Sequence, residues 1–104
     1  MKLYITGRQN SYSGICEYDA EKNEFTVKKG SHIKAGKNSN PDLEKIYRLR
    51  QQYAPNNIVI KDITFKSAST AASFVIGRST NGWTRWRDAE KRSLAELFRP
   101  EQGK

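Results

Sequence analysis

Apolar residues recur at two different periods in this chain, and the change of period marks out the elements. Leu3 and Ile5 alternate with Lys2, Tyr4 and Thr6, a period of two that predicts a short strand. Gly7 to Ser13 is polar and reads as a loop. Gly14 to Tyr18 and Phe25 to Lys29 read as a second and a third strand. Phe25 and Val27 fall on one face and Thr26 and Lys28 on the other, and Ile15 is expected over the same core. Asp19 and Asn23 lie between these two strands and favour a turn, which makes the pair a hairpin. Ile58 to Ile63 is also strand-like.

Three segments switch to helical spacing. In the first, Asn40 is placed to cap a helix, with Pro41 at its first position and Asp42 in the first turn, where negative charge suits the helix dipole. Leu43, Ile46, Tyr47 and Tyr53 form its apolar stripe; Lys45, Arg48 and Arg50 lie off it, and Pro55-Asn56-Asn57 ends it. In the second, Ser67 is the N-cap, Ala71, Phe74 and Val75 share one face, and Ala72 and Ile76 widen it. Gly77 suits the left-handed position that ends many helices. In the third, Ser93 and Glu96 form a capping box, Leu94, Leu97 and Phe98 pack, and Pro100 stops the helix. Residues 100–104 read as a frayed tail. Between the second and third helices, Asn81-Gly82 predicts a turn with positive φ. Asp88 to Arg92 is polar and predicts another turn. The order is an α+β domain, a small antiparallel sheet with about three short helices packed on it.

The block from Phe65 to Trp86 also carries a resemblance. Phe65, Ser67, Ser69, Ala71, Ala72, Val75, Gly77, Ser79, Asn81, Gly82, Trp83 and Trp86 fit the spacing F-x-S-P-S-x-A-A-x-x-V-x-G-x-S-x-N-G-W-x-x-W. Phe25, Val27, Gly30 and Ser31 upstream, and Leu94, Leu97 and Arg99 downstream, extend the match to roughly residues 13–99. The sequence resembles the domain of unknown function 4357 family, a small bacterial domain often found behind GIY-YIG endonuclease modules. A similar NGW-x-x-W block occurs in a domain associated with restriction enzymes and adenine methylases and thought to recognise DNA. Two positions depart from the pattern: Ala68 stands where the family usually has Pro, and Lys91 stands near a common Gly. The resemblance implies a fold and a nuclease or methylase context, but no reaction. The GIY-YIG motif itself is not in the chain.

Composition narrows the function classes. A chain of 104 residues, 36% hydrophobic and 29% charged, fits one globular domain with a single modest core. No apolar run is long enough to span a membrane, and MKLYITG lacks the apolar region of a signal peptide. One cysteine, Cys16, excludes an internal disulfide and fits a reducing cytoplasm. No internal repeat or low-complexity tract interrupts the chain. Nineteen Lys and Arg against eleven Asp and Glu give a net charge of +8. Such a balance favours anionic partners, nucleic acid foremost, through long-range attraction and counterion release.

Catalytic chemistry is sparsely provided. The single His32 and single Cys16 cannot build a zinc cluster, and a Cys16–His32 dyad has nothing to orient its imidazole. Asp19, Glu21 and Glu24 gather at a hairpin tip and read as a solvated turn rather than a metal cage. Gly30-Ser31-His32 lacks phosphate-loop spacing and reads as a sharp turn. No catalytic residue, metal or cofactor is expected. The segment of interleaved tryptophan and arginine is the candidate site. If residues 83–87 are extended, Trp83, Arg85 and Arg87 share a face opposite Thr84 and Trp86. Either Trp83 or Trp86 then offers a surface on which a base can stack; alternatively both are core. Lys66, Arg78, Arg85, Arg87 and Arg92 are the expected phosphate contacts. Asn81 can read a base edge or simply make the turn, and Ser67 and Ser69 can cap the helix or meet a phosphate at its N-terminus. The leading expectation is a non-catalytic nucleic-acid-binding accessory module of a nuclease or restriction-modification-type system, with DNA favoured over RNA. The alternative is a protein-interaction or oligomerisation module, given two Trp, five Tyr and four Phe in so small a chain.

Overall fold

The computed structural model describes residues 1–35 and 41–98. Four strands form one antiparallel sheet in chain order: β1 (Lys2–Thr6), β2 (Ser13–Asp19), β3 (Glu24–Val27) and β4 (Ile63–Phe65). The pairing register sets Leu3, Cys16, Val27 and Ile63 in one row across the sheet, and Tyr18, Phe25 and Phe65 in the next. All seven side chains are buried. The alternation expected of β1 and β3 therefore holds, and the inward face is the core. Ile15 is a correction: Gly14, Cys16 and Tyr18 take the inward positions, which leaves Ile15 half-buried on the outer face. That outer face is polar, and the hydroxyls of Thr26 and Thr64 meet across it at 2.8 Å.

The described residues also form four α-helices: α1 (Glu44–Tyr53), α2 (Ala68–Ile76), α3 (Gly82–Arg85) and α4 (Leu94–Phe98). Helix α2 is the centre of the core. Seven of its nine residues are buried, and burial of Phe74 and Val75 contributes about 1.5–3 kcal/mol each. Its ends are as read from the sequence. The Thr70 N–H donates to Ser67 Oγ at 3.0 Å, and Gly77 takes φ +85°. Helix α1 lies against α2 and buries Ile46 and Tyr47, while Leu43 and Tyr53 are half-buried. It begins at Glu44, after a 3-10 turn over Pro41–Leu43. The expected cap Asn40 lies outside the described residues, as do Arg99, Pro100 and the tail.

Arg50 is a second correction. It belongs to the buried stripe of α1, and its Nε donates to the Phe74 carbonyl at 2.9 Å. Its Nη2 donates to the Lys34 carbonyl. The last carbonyls of α2 have no partner within the helix, so a fixed cation at that end satisfies both a lone pair and the dipole. Burial pulls the guanidinium down from its usual value.

The region expected to be a long strand at Ile58–Ile63 is mostly a bracing loop. Only Ile63 enters β4; Val59 is buried, and its N–H donates to the Ser31 carbonyl at 2.8 Å. Ile58 and Ile60 point outward. The capping box of α4 holds: the Ser93 N–H donates to Glu96 Oε1 at 3.0 Å, and the Glu96 N–H donates to Ser93 Oγ at 3.2 Å. Leu94 is buried, Leu97 is half-buried, and Phe98 is exposed with its ring edge-on to Tyr18. No helix among the described residues is long and apolar enough to cross a membrane.

Candidate functional site

The segment after α2 folds differently from its sequence-based expectation. Asn81 has φ −83° and caps α3, with its Oδ1 accepting from the Trp83 N–H at 3.0 Å. Neither Asn81 nor Gly82 has positive φ. Glycine is needed at position 82 because two backbones meet there. A Cβ on Gly82 would stand 2.1 Å from the Ala68 carbonyl oxygen. The Gly82 N–H donates to Ser69 Oγ at 3.0 Å, and Trp86 Nε1 donates to the Ala68 carbonyl at 3.1 Å. Helix α3 is thus sewn onto the first turn of α2. The small residues there accept the close approach.

This stitching decides the fate of the tryptophans. Trp86 is 0% exposed, so it has no face to offer a base. Trp83 is half-buried and packs against the core. The expectation that residues 83–87 are extended fails for Trp83 to Arg85, which are helical; Trp86 returns to extended backbone. Arg87 then pairs with the edge of β1. Its N–H donates to the Tyr4 carbonyl at 2.9 Å, and its carbonyl accepts from the Tyr4 N–H at 2.6 Å.

That pairing opens a cleft of about 960 Å³ beside β1. Six cationic residues line it: Arg8, Lys34, Arg78, Arg85, Arg87 and Lys91. They come from the loop after β1, the loop before α1, the end of α2, α3 and the turn that follows. All six are exposed. Arg8, Lys34, Arg78, Arg85 and Lys91 have no carboxylate partner among the described residues, whereas Arg87 lies 3.9 Å from Glu96 Oε1. Arg85 donates to the hydroxyl of buried Tyr12, and Arg87 donates to the Lys91 carbonyl at 2.9 Å. Among the described residues one acid, Asp88, lines the same cleft. Its oxygens accept from the backbone N–H groups of Glu90 and Arg92 and from the Arg92 guanidinium. The Arg92 backbone, and then its side chain, hold the Asp88 carboxyl below its ordinary range. Asp88 is committed to its own turn and leaves the cleft strongly positive.

The expected site residues divide accordingly. Arg78, Arg85 and Arg87 meet in the cleft. Arg92 is bound to Asp88 and Glu90, and Lys66 pairs with Glu24 at 2.9 Å; neither lines the cleft. Ser67, Ser69 and Asn81 each bind a backbone N–H of the protein itself. Sequence reasoning missed Tyr4, Arg8, Tyr12, Lys34 and Lys91. Apart from Lys91 they are distant along the chain from Arg85 and Arg87, and the Tyr4–Arg87 pairing, the Lys34 N–H bond to the Val75 carbonyl and the Arg85–Tyr12 bond bring them together.

Other candidate centres have structural explanations. The N–H groups of Gly30, Ser31 and His32 all donate to backbone carbonyls, so they cradle nothing. Asp19 Oδ1 accepts from the Glu21 and Lys22 N–H groups, which makes the hairpin tip a turn. Cys16 is buried, and burial, then the neighbouring Glu17, push its thiol up to about 12. Among the described residues no three His, Cys, Asp or Glu gather as a metal site.

A family model described as Domain of unknown function (DUF4357) matches residues 3–98. The chain belongs to that family. The DUF4357 match begins inside β1, further upstream than the resemblance over 13–99, so the strand that carries Tyr4 is part of the family unit. Neither a curated protein nor a solved structure matches this DUF4357 chain.

Proposed function

We propose that this DUF4357 chain is a non-catalytic nucleic-acid-binding accessory module, acting on DNA within a nuclease or restriction-modification-type system in the cytoplasm. The observation that carries the reading is the cleft beside β1, where Arg8, Lys34, Arg78, Arg85 and Lys91, without carboxylate partners among the described residues, stand with Arg87 around Asp88, an acid committed to its own turn. Cations left unpaired and gathered in a concavity attract phosphates and release counterions on binding. The nuclease context comes from the family resemblance, and DNA follows from that context. Anisotropy titration of labelled DNA tests it. Four phosphate contacts on a single strand give a log–log salt slope of about −3. Absence of binding at tens of micromolar protein in low salt would remove the proposal.

A second reading rests on a different surface. Ile58 and Ile60 are 43% and 53% exposed on either side of buried Val59. Apolar side chains left in water favour a protein partner or a second copy. Sedimentation at two concentrations distinguishes this reading: a mass that rises with concentration supports it, and a constant monomer mass counts against a second copy.

A further inference from the structure

We infer that the cleft beside β1 takes single-stranded nucleic acid, with phosphates on its cations and one base against Tyr4. This rests on the nucleic-acid reading above and names the form of polymer the cleft accepts.

The first argument is shape. The cleft, of about 960 Å³, is a concavity bounded by β1, the loop after it, and α3. A duplex is read by an element that stands out from the protein and enters a groove, the major groove being about 12 Å wide. Nothing at this site projects in that way. Helix α3 spans only Gly82–Arg85 and is sewn onto α2 through Gly82 and Trp86. Arg87 covers the edge of β1. A hollow of this size admits a few unpaired nucleotides, and no described element beside it is shaped to enter a duplex groove.

The second argument is the lining. Unpaired strands are held by a cationic groove that follows the backbone together with aromatic rings on which bases stack. Arg8, Lys34 and Arg78 supply charge that no carboxylate among the described residues pairs with. Both tryptophans are withdrawn into the core or against it. Of the two tyrosines that line the cleft, Tyr12 is buried with its hydroxyl engaged by Arg85, whereas Tyr4 is half-exposed. Tyr4 is held by two backbone hydrogen bonds to Arg87, so a cation and an aromatic residue sit in fixed register. The stacking role that the sequence suggests for a tryptophan passes to this tyrosine.

The test compares a short labelled oligothymidylate with a duplex of equal length by anisotropy at low salt. Wild-type protein, Tyr4→Leu and Arg8→Glu/Arg78→Glu are measured on both polymers, and circular dichroism verifies folding. The expected result is single-strand affinity at least about tenfold above duplex affinity, with Tyr4→Leu removing about tenfold on the single strand and little on the duplex. Arg8→Glu/Arg78→Glu should abolish both. Equal or tighter duplex binding, or a folded Tyr4→Leu with full single-strand affinity, overturns the inference and leaves the nucleic-acid reading standing. No binding of either polymer by wild-type protein overturns both.

Discussion

The Arg85 guanidinium donates a hydrogen bond to the Tyr12 hydroxyl, tying α3 to the loop after β1 at the wall of the cleft. The two residues lie far apart in the chain, and the bond fixes where one cation of the cleft stands. Tyr12→Phe keeps the ring, which covers Gly7, and removes the acceptor. Loss of one such bond costs about 1 kcal/mol of stability. Urea unfolding should show that decrement. Oligonucleotide affinity should fall severalfold, because Arg85 must then be ordered at the moment of binding.

Lys91 has φ +67°, a conformation that an L side chain enters at a cost. The resemblance noted above puts a common glycine near this position. Lys91→Gly should therefore raise stability by about 0.5–1 kcal/mol. It also removes a cation from the cleft, so nucleic-acid affinity should drop. Opposite signs in thermal unfolding and in titration are the expected pair of outcomes.

Gly82→Ala places a methyl group against the Ala68 carbonyl, at a contact distance no real structure tolerates. Helix α3 must lift from α2, which loosens the Ser69 and Trp86 hydrogen bonds with it. A destabilisation of about 3 kcal/mol is expected. Denaturant unfolding followed by tryptophan fluorescence measures it, and Trp86 reports directly on the junction.

Cys16 offers a test by pH. Its thiol titrates near 9.0 when exposed and at about 12 in the fold. A group whose folded pKa is raised contributes stability that is complete below the unfolded value and is lost as pH rises toward the folded one. Stability should therefore decline between pH 9 and pH 12, and a Cys16→Val variant should decline less. At neutral pH a thiol reagent should label Cys16 only as fast as the protein opens.

The legible parts of the fold are those governed by neighbours in the chain. Ser67 and Gly77 bound α2 because caps act over three or four residues. Ser93 and Glu96 are legible for the same reason, as is the Asp19 turn. Asn81 was not, because an amide suits both a left-handed turn and a helix cap. What decides between them is Gly82 reaching Ala68 from another element. Arg50 shows the same limit. A charged residue normally lies off the buried face, and the carbonyls of Phe74 and Lys34 draw this one inward.

The candidate site was half legible. Arg78, Arg85 and Arg87 were visible as cations close together in sequence. Lys91 joins them through its own turn, held by the Arg87 side chain, and Arg8 and Lys34 through tertiary pairing that no local spacing announces. Trp86 misled because an indole near arginines suits stacking and packing equally. The hydrogen bond from its Nε1 to the Ala68 carbonyl lets the whole ring be buried.

Chemical-shift mapping on adding a short single strand tests the central claim most directly. The account predicts changes concentrated at Arg8, Ser11, Arg78, Thr84, Arg85 and Arg87, all of which line the cleft, with Thr26, Thr64 and Lys66 unmoved. Changes centred on the Thr26–Thr64 face, or none at saturating oligonucleotide, would contradict it.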